Sequence, residues 1–255
     1  MAVGRYDDSK DSIVTRFVSC PAHVRSADLG SAVALVDLRN GRVDTLLGWA
    51  RDAWAALART GNPSAASSVI SIPVGQVIEL VRQLRTDGYL AYAESPRPWT
   101  VPAAEPTAPS WGTSELPAAL TTPCRTRPAA TLLAGFALAS VLAAREAGCR
   151  SRSFARIIAL LTAVARWPRR RAEPAAVEHA LHCVRNVASV LPFRIACLEE
   201  TAAAMLVLAL TGRRAGWCHG VAADPIRLHA WIALDGQPVA EPASTARYTP
   251  LLQIP

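Results

Sequence analysis

Apolar residues early in the chain follow a strand-like pattern. Ser12 to Ser19 is rich in Ile, Val, Thr and Phe, and Ala32 to Leu38 is a second β-favouring run that ends at Asn40-Gly41. Asn and Gly both tolerate positive φ, so this dipeptide predicts a hairpin whose return strand is Arg42 to Leu46. The period then changes. Leu47, Ala50, Trp54 and Leu57 fall on one side of a helix expected from Leu47 to Arg59 and closed by Gly61. A short helix is expected over Ala65 to Ile70. A longer one runs from Pro73 to Asp87, with Val74, Val77, Ile78, Val81 and Leu84 at helical spacing and Gly88 past its end. Residues 1–90 therefore read as a domain of three strands followed by three helices.

Between Ala91 and Pro128 the periodicity stops and eight prolines appear, at 96, 98, 102, 106, 109, 117, 123 and 128. Proline removes a backbone donor and stiffens the chain, so 91–128 reads as an extended linker. Residues 129–255 return to helical spacing, with helices expected at Ala129 to Glu146, Ser153 to Trp167, Pro174 to Val190 and Leu198 to Leu210, the last closed by Gly212. Strands follow at Trp217 to Val221, Leu228 to Leu234 and Val239 to Glu241, with Asp235-Gly236 as the turn between the last two. Helices followed by an antiparallel sheet make an α+β domain.

Composition narrows the function classes. A 255-residue chain that is 51% hydrophobic can bury a core and is not disordered. Its charge is lopsided: residues 1–90 carry 10 basic and 9 acidic side chains, and 125–255 carry 16 and 8. The arginine surplus suits an acidic peptide or another anionic partner, or a solvated surface with Arg169, Arg170 and Arg171 in a loop. Nucleic acid is not expected, because the basic run is short and lacks interleaved aromatics. Six cysteines without a C-x-x-C pair favour reduced thiols and a cytoplasmic location, and the polar first ten residues show no signal peptide. The apolar run Pro128 to Ala144 is alanine-rich and contains Gly135, so a buried helix is expected rather than a membrane span.

The residues that carry chemistry lie in the last third. A thiolate is the attacking form of cysteine, and the first turn of a helix supplies unpaired N–H groups and the positive end of the dipole. Cys197 holds that position, although Glu199 and Glu200 would oppose a thiolate if turned toward it. His229 sits in the alternating run Leu228-His229-Ala230-Trp231-Ile232, where a strand would hold its ring rigidly. The orienting carboxylate is Glu241, with Asp235 as the alternative, since Asp235 is also needed by its turn. A thiol, an imidazole and an acid in this order fit papain-like or transglutaminase-like acyl chemistry. They also fit inert core residues. A zinc site drawn from His179, His182, Cys183, Cys218 and His219 lacks any standard spacing, and neither metal nor cofactor is expected.

The blocks Cys197-Leu198-Glu199-Glu200, Trp217-Cys218-His219-Gly220-Val221, Leu228-His229-Ala230-Trp231 and Arg247-Tyr248-Thr249-Pro250-Leu251 occur in this order. Together they resemble the lasso-peptide B proteins, transglutaminase-like cysteine peptidases that remove the leader from a ribosomal precursor peptide. The resemblance implies Cys197 as nucleophile, His229 as base, and Glu241 where the family commonly has aspartate. The first ninety residues are similar, through element order, Trp54 and Gly88-Tyr89-Leu90, to the PqqD-like winged-helix domain that binds leader peptides. By that resemblance a leader would add to the sheet edge at Arg42, Val43, Asp44, Thr45 and Leu46, beside Ile78, Arg82 and Arg85. The implied partners are the precursor peptide and a lasso-forming cyclase. An acyl-transferring enzyme and a non-catalytic peptide-binding scaffold are the other classes compatible with these residues.

Overall fold

The computed structural model describes residues 16–104, 127–167, 170–223 and 226–255. The chain divides into two compact units, Met1–Asp37 with Arg42–Ala103 and Leu38–Gly41 with Ala104–Pro255.

In the first unit, strands β1 (Phe17–Ser19), β2 (Val24–Asp28), β3 (Ala32–Asp37) and β4 (Val43–Leu47) precede helices α1 (Trp49–Thr60), α2 (Pro63–Ile70) and α3 (Val74–Thr86), and β5 (Ala91–Ala93) follows. The sheet is antiparallel in the order β2-β3-β4, with Ala34 opposite Thr45 and Ser26 opposite Leu35. β1 does not join it; it pairs with β5. The expected set of three strands thus held the wrong first member, because Val24–Asp28 is too short and polar to announce itself. Most of the expected run from Ser12 lies outside the described residues. The unit also extends past residue 90, since β5 pairs at Ala91 to Ala93 and the Asp28 N–H donates to Pro102 O. Residues 91–103, expected to open the linker over 91–128, thus belong to this unit, and the 105–126 portion lies outside the described residues.

The core of this unit gathers Val33 and Leu35 of β3, Trp54 and Leu57 of α1, and Val77, Val81 and Leu84 of α3. Trp54 is fully buried, and its indole N–H donates to Ser26 Oγ, which satisfies the one polar atom that burial would strand. Helix α1 stops at Gly61, whose φ of 63° closes a left-handed cap with its N–H on Leu57 O.

The second unit holds α4 (Pro128–Glu146), α5 (Ser153–Ala165), β6 (Arg170–Arg171), α6 (Pro174–Ala188), α7 (Cys197–Leu210), β7 (Arg213–Arg214), β8 (Gly216–Ala222), β9 (Arg227–Leu234), β10 (Gln237–Pro238) and β11 (Thr249–Ile254). Its main sheet is antiparallel in the order β10-β9-β8-β11. Helix α7 is buried on nearly every side, from Thr201 to Ala209, and packs against α4, α5, α6 and β9. Helix α4 is long and apolar enough to cross a membrane by length and composition. It buries one stripe, Ala134, Ala137, Leu138 and Val141, and leaves Leu132 and Phe136 exposed, so it is not the fully buried helix expected.

Candidate functional site

Cys197 is the first residue of α7, after Ala196 in extended conformation. Its carbonyl is tied down by a buried relay: the Trp217 indole N–H donates to Thr201 Oγ1 at 2.9 Å, and Thr201 Oγ1 donates to Cys197 O at 2.7 Å. The start of the helix is thereby fixed to β8. The two acids of the first turn are held by arginines, Glu199 by Arg145 at 2.5 Å and Glu200 by Arg185. Each therefore has a cation of its own to offset its charge.

His229 lies near the start of β9, opposite Gly220 of β8. Its Nε2–H donates to Glu241 Oε2 at 2.7 Å, and Cys197 lies near enough to the ring to raise its pKa together with Glu241. Glu241 is almost wholly buried, and the same Oε2 accepts from Thr245 Oγ1 at 3.1 Å. Ala240, in the left-handed region at φ 57°, turns the chain between β10 and this carboxylate. Asp235 is elsewhere: it occupies the β9–β10 turn at φ 51° and pairs with Arg171. Glu241, not the alternative Asp235, is the acid beside His229. The ring is bracketed by Trp231, stacked at 6.0 Å between centroids, and Tyr248 at 5.2 Å.

Electrostatics separate the two histidines of this region. Burial alone would depress the pKa of His229, but its hydrogen bonds to Cys197 and Glu241, and their charge, hold it up at about 9. His219 is pushed down to about 4, by burial first and then by the charge on His229. At neutral pH His229 is the imidazolium and His219 is neutral, so only His229 can deliver a proton. The sulfur opens on a pocket lined by Phe154, Ile157, Leu198, His219 and Leu228. Buried Cys218 and half-buried Cys20 have thiols raised to about 11 by desolvation, so neither supplies a nucleophile at neutral pH.

These shifts set the pH dependence of stability. The folded pKa of His229 lies above its ordinary 6.5, so its contribution is complete below 6.5 and is lost as pH rises through 9. The folded pKa of His219 lies below 6.5, so its burial costs stability as pH falls from 6.5 toward 4. The denaturation midpoint should accordingly peak near pH 6.5, and Glu241→Gln should flatten the alkaline decline. Chemical denaturation at a series of pH values checks both.

Close packing leaves no room for a side chain at Gly220. A Cβ there would stand 2.6 Å from Thr249 O and 2.8 Å from the Trp231 ring. Gly220→Ala is expected to cost about 1–3 kcal/mol, the usual range for overpacking, and to displace Trp231 with the His229 ring stacked on it. A urea titration reads the first effect and loss of activity the second.

Of the residues expected to bind a leader, Arg42 pairs with Asp44 and Asp87, and the Tyr89 hydroxyl donates to Asp44 at 2.6 Å. Ile78 is buried, Arg82 pairs with Glu79, and Arg85 lies 4.3 Å over the Tyr92 ring. Val43, Thr45 and Leu46 lie on β4, at one end of the sheet order, and among the described residues no strand pairs with its outer side. The Asp37 N–H donates to Arg42 O at 2.9 Å, so the antiparallel alternation turns the N–H and C=O of Val43, Thr45 and Leu47 outward. Among the described residues no group of three or more His, Cys, Asp or Glu side chains could hold a metal ion. His179 and Cys183 approach to 3.6 Å on α6, whereas Cys218 and His219 are consecutive on β8 and point to opposite faces.

Thr245, Tyr248 and the Trp217–Thr201 relay were not legible as parts of this site. Tyr248 lies in the run Arg247 to Leu251, where nothing local marks a role, and Thr245 reaches Glu241 only because the turn of 3₁₀ helix Ala243–Arg247 brings it back.

Residues 137–253 match a family model described as the transglutaminase-like superfamily. The match covers most of the second unit and supports a transglutaminase-like fold of the papain-like cysteine type there. No curated protein and no solved structure matches the chain.

Proposed function

We propose that this protein is a leader peptidase of the lasso-peptide B type: the first unit holds the leader of a ribosomal precursor, and the second cleaves it from the core. The observation that carries the reading is the contact of Cys197 with a protonated His229 whose far nitrogen is held by buried Glu241. That arrangement places a sulfur nucleophile, a proton donor and an orienting carboxylate in one line.

The Cys197 sulfur attacks the carbonyl at the end of the leader. The developing oxyanion takes a hydrogen bond from the backbone N–H of Cys197, one of the N–H groups without a partner at a helix start. His229 gives its Nδ1 proton to the departing amine of the core, then takes a proton from the water that releases the leader from the thioester. The pocket beside the sulfur, walled by Phe154, Ile157, Leu198 and Leu228 with Arg145, Ser153, Glu199 and His219 among them, would receive a side chain next to the scissile bond. No step calls for a metal or cofactor. Leader capture by the open edge of β4 would raise the effective concentration of the scissile bond, so that selectivity need not reside in the pocket alone.

The rate should fall on the alkaline side as His229 loses its proton near pH 9. Glu241→Gln removes a charge that supports that proton, so the alkaline limb should move to lower pH with a loss in kcat. An unmoved limb would take His229 out of the proton transfer. A pH–rate series on both proteins, read by chromatography of the released leader, makes the test.

A further inference from the structure

Of the three arginines expected in a loop, Arg170 and Arg171 instead form a strand, and Arg169 lies outside the described residues. β6 and β7 pair in parallel with Arg170 opposite Arg213 and Arg171 opposite Arg214. The register is locked at both ends, by the Arg170 N–H on Gly212 O at 3.2 Å and the Ala172 N–H on Arg214 O at 2.8 Å. All four side chains are exposed, Arg170 and Arg213 on one face of the ribbon and Arg171 and Arg214 on the other. Like charges facing each other across paired strands oppose the pairing. Among the described residues, Arg170, Arg213 and Arg214 form no ion pair, while Arg171 takes the carboxylate of Asp235.

A groove with ≈ 510 Å³ of room lies beside the ribbon. Ala172, Pro174, Leu234 and Val239 give it an apolar bed, and Arg171 and Gln237 stand with them in its lining. It lies at the far end of β9 from His229, roughly 17 Å along the strand at about 3.3 Å per residue, so it is separate from the sulfur site.

We infer that the ribbon β6–β7 and this groove form a docking surface for an acidic segment of a polypeptide partner, with apolar residues between its carboxylates. Arginine forks match carboxylates in geometry, and the Arg171–Asp235 pair is a carboxylate from the chain itself already seated at the rim. The apolar bed suits side chains rather than a sugar-phosphate backbone. Glu173 in the groove's lining and Asp235, paired with Arg171 at its rim, repel a continuous polyanion, whereas a peptide can set its carboxylates between them. The inference does not depend on the peptidase reading.

Fluorescence anisotropy tests it with a labelled peptide of about twelve residues carrying glutamate with leucine at every third position. The comparison probes are the same peptide with glutamine for glutamate, a single-stranded DNA oligomer, and phosphatidylserine vesicles. The acidic peptide should bind full-length protein more tightly than all three, and more weakly as salt rises. R171E/R214E, which reverses the two arginines on the face of the ribbon that Arg171 presents to the groove, should weaken binding at least tenfold. D235N should tighten it about two- to threefold, because the internal competitor is lost while asparagine keeps the left-handed turn. The two variants predict opposite signs, so misfolding of the charge-reversed variant cannot imitate support from D235N. The inference is overturned if charge reversal in a folded variant leaves affinity unchanged, if D235N weakens binding, or if DNA or vesicles bind more tightly than the peptide through the same arginines.

Discussion

Cys197→Ala should abolish cleavage of the precursor and leave its binding unchanged. Removing the nucleophile of a cysteine or serine site costs on the order of 10⁴-fold or more in kcat, because the remaining groups can only polarise the carbonyl. The substitution should not disturb the fold. Alanine is the best helix former, and the bond that anchors the start of α7 runs from Thr201 Oγ1 to the backbone carbonyl of residue 197, which alanine retains. Leader capture is assigned to β4 in the other unit, so the variant should hold precursor with wild-type affinity. Cleavage that persists in Cys197→Ala would remove this sulfur from the mechanism, and lost binding would mean that the two functions are not divided between units as proposed.

Thr45→Pro should have the complementary effect, weakening capture of the precursor about tenfold while sparing cleavage of a short peptide that lacks the leader. The outward turn of the Thr45 N–H means that proline there removes no bond between β3 and β4, and a sheet edge is where proline is tolerated. What it removes is one donor that an added leader strand would use, worth about 0.5–1.5 kcal/mol, and the ring crowds the approach of the next strand. Isothermal titration with the leader, beside a turnover assay on the short peptide, separates the two functions. Unchanged leader affinity would exclude addition at this edge.

The sequence exposed what local physics determines. Helices α1, α3, α6 and α7 follow apolar spacing and their glycine or proline boundaries, and Asp235-Gly236 turns with φ of 51° and 79° as its residue types require. Cys197 and His229 could be singled out because a helix start and an alternating strand are local patterns. Long-range pairing was not legible. β2, β5, β6 and β7 are two to five residues each and depend on distant partners, and β11 carries Pro250, which argues against a strand until its place at the sheet edge is known. The choice between Asp235 and Glu241 was likewise a matter of register. Only with Gln237 opposite Leu234 and Ala240 at positive φ does Glu241 reach His229, while the Asp235 carboxylate turns toward Arg171.

Mass spectrometry of a candidate precursor incubated with the protein tests the central assignment most directly. The account predicts two fragments, leader and core, whose masses sum to the precursor plus one water, formed by the wild type and not by Cys197→Ala. An intact precursor would contradict it. So would a product joined to an added amine, the signature of acyl transfer rather than hydrolysis.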